Sequence, residues 1–496
     1  MTTKVLAFSA ILLASLPLGA QAQTTPNAAA TPAPELTPTE QAIHDLKNPT
    51  SWLSWGGDFR ARNEYFDNLL TLNSTGKGHE QEYLRFRGRV WLSLAPEDYV
   101  KGLSLNVRLA AEPREWFKPA GYTPKKGHVG PDWTEGILDT LNLQWKNVGG
   151  TPFSATIGRQ DLLLGDGWLV GDGTPYDGSW TYYLDAARFT YDFKEQHTTI
   201  EAIGIIQNSR DDAWLPPLSG YTQNRPETEQ NEKGALLQVS NTSLPAANFT
   251  GYFIYKHDDR DNGPGLPLVK GFHVGDNADI YTLGGRISGV FADHWKYSVE
   301  GAYQFGSKQD LTIQDDHNAY AGGSADYRNL SAFGINSKLT YQFKDALNNQ
   351  LALSYEFLSG DDPKSSSDEM FDVLWGRWPR WSEIGLYAYA AETRIGQEAN
   401  LHRLGPTWTL TPAKDLDLAF SYFALFADQA VPTRQASTSL FSNSGTFRGH
   451  FLQAVLKYKF SKHMSGHLWG EVLLPGDFYA HNTAISFLRA ELMFTF

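Results

Sequence analysis

A chain of 496 residues with 42 Lys and Arg against 55 Asp and Glu carries a formal net charge of −13, which argues against nucleic acid as a partner. The absence of Cys excludes a disulfide scaffold, and no run of about 18 apolar residues beyond the N-terminus is available for a transmembrane helix. Fifteen Trp, 23 Tyr and 28 Phe suit a β-barrel that needs aromatic girdles at two membrane interfaces, although a large soluble β protein shows the same composition.

Residues 1–22 read as a secretory signal peptide. Lys4 supplies the charge, Val5 to Leu18 the apolar core and Ala20-Gln21-Ala22 an A-x-A cleavage site. Residues 23–57, rich in Ala, Thr and Pro at their start, read as a flexible periplasmic leader. Within it, Thr39 to Lys47 suit a short helix capped by Thr37 or Thr39.

From 58 to 496 the pattern is a succession of segments about ten residues long with a period of two, the signature of a transmembrane antiparallel β-barrel. In 82–94, Leu84, Phe86, Gly88, Val90 and Leu92 share one face, and Tyr83, Arg85, Arg87, Arg89, Trp91 and Ser93 the other. Segment 294–305 sets Trp295, Tyr297, Val299 and Tyr303 against Lys296, Ser298, Glu300 and Gln304. The last segment, 484–496, sets Leu488, Ala490, Leu492, Phe494 and Phe496 against Arg489, Glu491 and Thr495. The fold class is all-β, with about 18 strands. Connections alternate short and long, which places both termini in the periplasm and 113–135, 208–231 and 360–399 outside. Residues 383–396 also resemble a strand, but counting them breaks the alternation, so they are assigned to an outer loop with helical character.

A barrel of this size leaves a lumen rather than a filled core, so inward side chains decide what passes. Arg60, Arg62, Arg85, Arg87, Arg89, Arg108, Arg188, Arg286 and Arg403 fall on predicted inward positions, as does Arg489. Guanidinium groups bind carboxylates with a planar fork, and a row of them draws an anionic solute from site to site. The alternative is structural. Glu64, Glu112, Asp192, Glu201, Glu300, Glu356 and Glu491 also point inward, and pairs across neighbouring strands stiffen the wall. The 85, 87, 89 triplet demands either external anions or several partners. Gly165-Asp166-Gly167 and Gly171-Asp172-Gly173 suit turns better than calcium loops. Trp375-Gly376-Arg377-Trp378-Pro379-Arg380-Trp381 suits sugar stacking, or packing into the barrel mouth. No catalytic motif stands out, and no cofactor or metal is expected.

Ile157-Gly158-Arg159-Gln160, Leu164-Gly165-Asp166-Gly167, Leu169-Val170-Gly171, Asp177-Gly178 and the late Leu474-Pro475-Gly476-Asp477 resemble the alginate-export family of outer-membrane proteins. The resemblance implies an 18-stranded barrel that exports an anionic polysaccharide through an Arg-lined pore. Only Arg159 carries over by motif. Parity puts it on the face of Phe153 and Ile157, so a lumenal role needs a bulge near Gly158. The chain departs from the family's usual pattern at Trp168, where members often carry Arg.

The resulting expectation is a monomeric channel in a Gram-negative outer membrane, embedded in lipid. It passes an anionic carbohydrate such as a polyuronate, and periplasmic secretion components are compatible partners. The alternatives are a porin importing small carboxylates or sugar acids, and an outer-membrane enzyme.

Overall fold

The computed structural model describes residues 37–69, 74, 79–119, 127–171, 183–209, 228, 230–244, 246–260, 268–269, 272–273, 277–309, 327–362, 364–376, 380–385, 398–431 and 440–496. The signal peptide, most of the early leader, Asp172-Gly173, Asp177-Gly178 and Arg377-Trp378-Pro379 lie outside the described residues.

Eighteen strands form one closed antiparallel sheet. They are β1 (Leu53–Asp67), β2 (Glu80–Leu94), β3 (Leu103–Trp116), β4 (Gly130–Trp145), β5 (Phe153–Gln160), β6 (Leu184–Phe193), β7 (Thr198–Gln207), β8 (Gln230–Leu244) and β9 (Ala247–Arg260), then β12 (Ala278–Phe291), β13 (Trp295–Gln309), β14 (Tyr327–Gln342), β15 (Gln350–Leu358), β16 (Leu401–Ala413), β17 (Leu416–Phe426), β18 (Phe447–Lys459), β19 (Met464–Pro475) and β20 (Ile485–Thr495). A short hairpin of two two-residue strands, β10 (Leu268–Val269) and β11 (Phe272–His273), lies in the connection between β9 and β12. β15 pairs directly with β16, so the 383–396 segment contributes no barrel strand; of it, 386–396 lie outside the described residues.

Each strand turns alternate side chains outward, and those are apolar: Val90, Ile157, Ile206, Leu283 and Leu488 are all more than half exposed on the isolated chain. In a bilayer that surface is covered by lipid. Closure removes both sheet edges, which in hydrocarbon would leave unpaired backbone groups.

Closure runs through β1 and β20, where Arg62 stands opposite Glu491 and Glu64 opposite Arg489. Arg489 Nε donates to Glu64 at 2.7 Å, and Arg62 donates to Glu491. A slip of two residues keeps the apolar face outward but sets Arg62 against Arg489, or Glu64 against Glu491. Like charges directly opposite are unfavourable, so the charge order selects one register among those that hydrophobicity permits.

The barrel begins at Leu53, ahead of the boundary expected at 58. Before it, α1 (Pro38–Lys47) is closed by a capping box in which Thr37 accepts from the Glu40 backbone and Glu40 reaches back to Thr37. This helix is docked on the short-turn end of the barrel. Trp55 Nε1 donates to Leu46 O at 2.7 Å, the Lys47 ammonium lies 5.0 Å from the Phe496 ring centre, and Glu40 pairs with Lys462.

The alternation sets the first expected outcome. Leu283→Arg, on the lipid face near mid-strand, costs about 2–4 kcal/mol. Thr190→Arg, inward beside Glu201, is tolerated. Folding yield in detergent measures both, and equal yields contradict the register.

Candidate functional site

The lumen has two unlike halves. Towards the long-loop end it is filled by two connections that fold inward, 161–171 and the described parts of 359–385. Of the connection expected outside at 360–399, the described residues 360–362, 364–376 and 380–385 thus turn into the barrel, while 386–397 lie outside the described residues. The connections hold one another through backbone bonds: Trp375 N donates to Leu169 O at 2.9 Å and Gly171 N to Trp375 O at 3.2 Å. Trp168 stacks on Phe371, ring centres 5.5 Å apart, and donates its indole N–H to Glu356 at 3.1 Å. Trp168 is thus a plug residue. Trp168, Leu169, Val170, Phe371, Val373, Leu374 and Trp375 form a core with inward Leu236, Ile254, Ile280, Ala302 and Leu330. Apolar residues inside a channel wall are costly unless covered, and the plug covers them.

The plug is also tethered by charge. Lys256 Nζ lies 3.1 Å from Glu232, 3.0 Å from Asp258 and 3.5 Å from Asp372, the last on the inserted connection. Gln304 clasps the Asp372 backbone at both ends, donating to its carbonyl at 2.6 Å and accepting from its N–H at 2.9 Å. Further round, Glu383 pairs with Arg489 at 2.9 Å, and Ser382 and the 383–384 backbone donate to Glu471.

Against this frame the arginines divide. Arg60, Arg62, Arg85, Arg87 and Arg489 are 4% exposed or less. Glu112 accepts from Arg60 at 3.2 Å and from Arg85 at 2.6 Å. Glu64 lies 3.9 Å from Arg85, and Asp58 lies 3.6 Å from Arg87 and 2.5 Å from Arg89. The triplet therefore has several internal partners. Arg403 holds Glu356 at 2.8 Å, between the rings of Trp381 and Phe423.

Arg108, Arg188 and Arg286 are more open. Arg108 forks onto Asp161 at 2.8 and 2.9 Å and reaches Asp139 at 2.7 Å, where a register shift between β3 and β4 turns Asp139 inward. Arg188 pairs with Glu201 and Arg286 with Asp166 at 2.9 Å.

Arg159 is placed apart from the other nine. Gly158 takes φ +119°, and a Cβ there would stand 2.3 Å from Leu141 O, but the pairing with β4 continues without a shift. Arg159 stays on the Ile157 face, pairing with Asp185 at 3.0 Å beneath the Tyr183 ring. That face carries Ile206 and looks outward, so the motif arginine braces the wall at its long-loop rim and does not line the lumen.

The short-turn half holds cations that were not singled out from the sequence. Lys296, Lys338 and Lys457 occupy inward positions, and among the described residues none has a carboxylate within ion-pair distance. Lys338 stands opposite Ser298 and Arg286 opposite Glu300. Lys296, Lys338 and Arg286 thus mark three successive inward levels of one wall, about 7 Å apart along the strands. The alternation of 294–305 already turned Lys296 inward; its lack of a partner depends on the fold.

Residues 51–487 match the alginate export family. The chain belongs to that family. Among solved structures it is similar in fold to Acinetobacter baumannii OccAB1 (8% identity, TM-score 0.51, covering 89% of this chain and 96% of that one). It is likewise similar to Pseudomonas aeruginosa OccK2 (11% identity, TM-score 0.50, covering 89% and 97%). No curated protein matches it. Family and barrel together make this protein an outer-membrane channel. Short turns at one end and long connections at the other orient the short-turn end to the periplasm.

Two outcomes follow for the plug. Lys256→Met removes the cation on which Glu232, Asp258 and Asp372 converge. Breaking a buried ion pair costs about 3–5 kcal/mol, so thermal stability in detergent falls and conductance rises as the connection is released. Unchanged values for both contradict the tether.

The second concerns pH. Burial, then the charge of Glu356, pushes the carboxyl of Glu398 up to about 8, where it accepts from Trp381 Nε1 at 2.8 Å. Burial, then Asp368, pushes Asp361 up to about 7. A raised carboxyl pKa contributes stability that is complete below the ordinary value, declines as pH rises and is gone above the raised one. Proteolysis within 359–400 should therefore speed up from pH 5 to pH 8 and then level off. A rate that falls over this range contradicts the assignment.

Proposed function

We propose that this channel passes an anionic carbohydrate, a polyuronate in the direction of export, along the cations of the β12–β14 wall. The observation that carries the reading is the succession of Lys296, Lys338 and Arg286 on consecutive inward levels, where two of the three cations lack a carboxylate partner among the described residues. Spacing of this kind lets one carboxylate leave a cation as the next arrives, which conduction requires. Arg188, the most open of the arginines named above, adds on β6 a guanidinium paired with Glu201, while Arg108 and Arg89 are neutralised by their aspartates. Arg60, Arg62, Arg85, Arg87 and Arg403 hold the wall and the plug in shape through their carboxylates. The docked α1 is the surface nearest any periplasmic component.

The plug supports a second reading. While it stays in place the lumen favours small solutes, so import of small carboxylates or sugar acids competes with passage of a polymer.

Bilayer recordings separate these readings. Lys296→Gln with Lys338→Gln should move the zero-current potential in a salt gradient towards cation preference and weaken block by polyuronate. Block by the polymer at far lower concentration than by the monomer supports export, and equal or tighter block by the monomer supports import. A potential unmoved by the double substitution contradicts the proposed path.

A further inference from the structure

A cavity of about 120 Å³ lies at the third level of this wall, beneath the tip of 161–171. Leu164 and Leu236 supply apolar surface, and Arg286, Glu300, Tyr252 and Ser288 supply polar groups. Gly165 covers it closely. With φ +56°, a Cβ there would come within 3.5 Å of the Arg286 side chain and 3.6 Å of Glu300. The next residue, Asp166, sets both carboxylate oxygens on a single guanidinium nitrogen, Nη2, at 2.9 and 3.1 Å. Arg286 Nη1 donates to Ser288 Oγ at 3.0 Å. Nε is buried with no hydrogen bond, because the nearest carboxylate oxygen, on Glu300, is 3.9 Å away.

We propose that this cavity is a subsite for the carboxylate of a sugar acid, and that Asp166 occupies the carboxylate position while the channel is empty. The inference rests on the anionic-carbohydrate reading and adds a site and a competitor to it. A guanidinium presents its two strongest paired donors along one edge, and a carboxylate that bridges that edge makes two parallel bonds. Asp166 leaves the edge half used. It is tied to a backbone turn fixed by Trp168 and Val170, and its side chain is 56% exposed. When the Gly165–Asp166 tip lifts off Nε, an incoming carboxylate that uses both Nη2 and Nε replaces a poorer contact with a better one, and Asp166 is released to water.

The neighbours suit a sugar rather than a bare acid. Glu300 Oε1 accepts from Tyr252 at 2.9 Å, leaving Oε2 to accept a sugar hydroxyl. Ser288 offers a hydroxyl beside it. Glu300 also repels a second negative charge, which disfavours small anions that bring no hydroxyl to it.

The test uses the full-length protein in planar bilayers. Channel block is titrated with galacturonate, with galactose and with acetate, for the wild type, Asp166→Asn, Arg286→Gln and the double variant. Asp166→Asn is close to isosteric at an exposed position, and heat-modifiable migration verifies that each variant is folded. Galacturonate should block the wild type weakly and Asp166→Asn roughly tenfold more strongly, equivalent to about 1.4 kcal/mol. Arg286→Gln should abolish block in both backgrounds, with galactose and acetate ineffective throughout. Unchanged galacturonate affinity in Asp166→Asn overturns the competitor role, and equal block by acetate overturns the sugar-acid assignment. In either case persistent anion selectivity and polyuronate block in the wild type leave the channel reading standing; loss of both there defeats that reading instead.

Discussion

The structure depends on carboxylate–guanidinium pairing at the seam where the last strand meets the first. A barrel of this length must bring β20 against β1 across more than 400 residues of chain, and Arg62 with Glu491 and Glu64 with Arg489 fix how they meet. Buried ion pairs often contribute little net stability compared with apolar replacements, but breaking one partner is costly. Here they perform a task that apolar groups cannot. The lipid face repeats every two residues and tolerates slips by two, whereas the order of charge tolerates one register only.

That use of charge alters what an arginine-rich lumen means. Side chains neutralised by Glu64, Glu112, Asp58 and Glu491 are withdrawn from solute, and their fields are compensated at short range. Positive potential in the open half then comes from cations that the wall leaves unmatched. Lysine suits this position. Its ammonium is a compact, strongly hydrated charge on a flexible stem, so it attracts a passing carboxylate without the geometric commitment of a guanidinium fork.

Much of the barrel was legible in the sequence because its rule is local. Lipid on one side and water or charge on the other impose a period of two, and each of the 18 segments expected on that basis has a strand in the structure. The helix before the barrel was legible from local signals too, through a Thr37 cap, although it starts at Pro38 and not Thr39. The partners of the arginines were not, since Arg62 and its carboxylate are 429 positions apart and several inward Glu residues were equally eligible. The plug was legible only at 375–381, whose mix suits packing into the barrel mouth; its two halves are otherwise loops without periodicity. Two signals were nevertheless present. Met370 to Trp375 is apolar at every position but Asp372, and Ile203, Ile205, Leu236 and Ile254 are inward residues that violate the polar-in rule. Each made sense only with the other. Arg159 shows the opposite error, since parity placed it outward and the family motif pulled it inward; parity agrees with the structure.

The central claim is that the buried arginines build the wall while the lumenal lysines meet the solute. Chemical footprinting of the folded protein in detergent tests it most directly. Phenylglyoxal modifies accessible arginines and trinitrobenzenesulfonate accessible amines, and peptide mapping reports each site. The account expects Lys296 and Lys338 to react in the folded channel, while Arg62, Arg85 and Arg489 react only after heat unfolding. Rapid modification of those three arginines in the folded protein, with Lys296 and Lys338 protected, would contradict it.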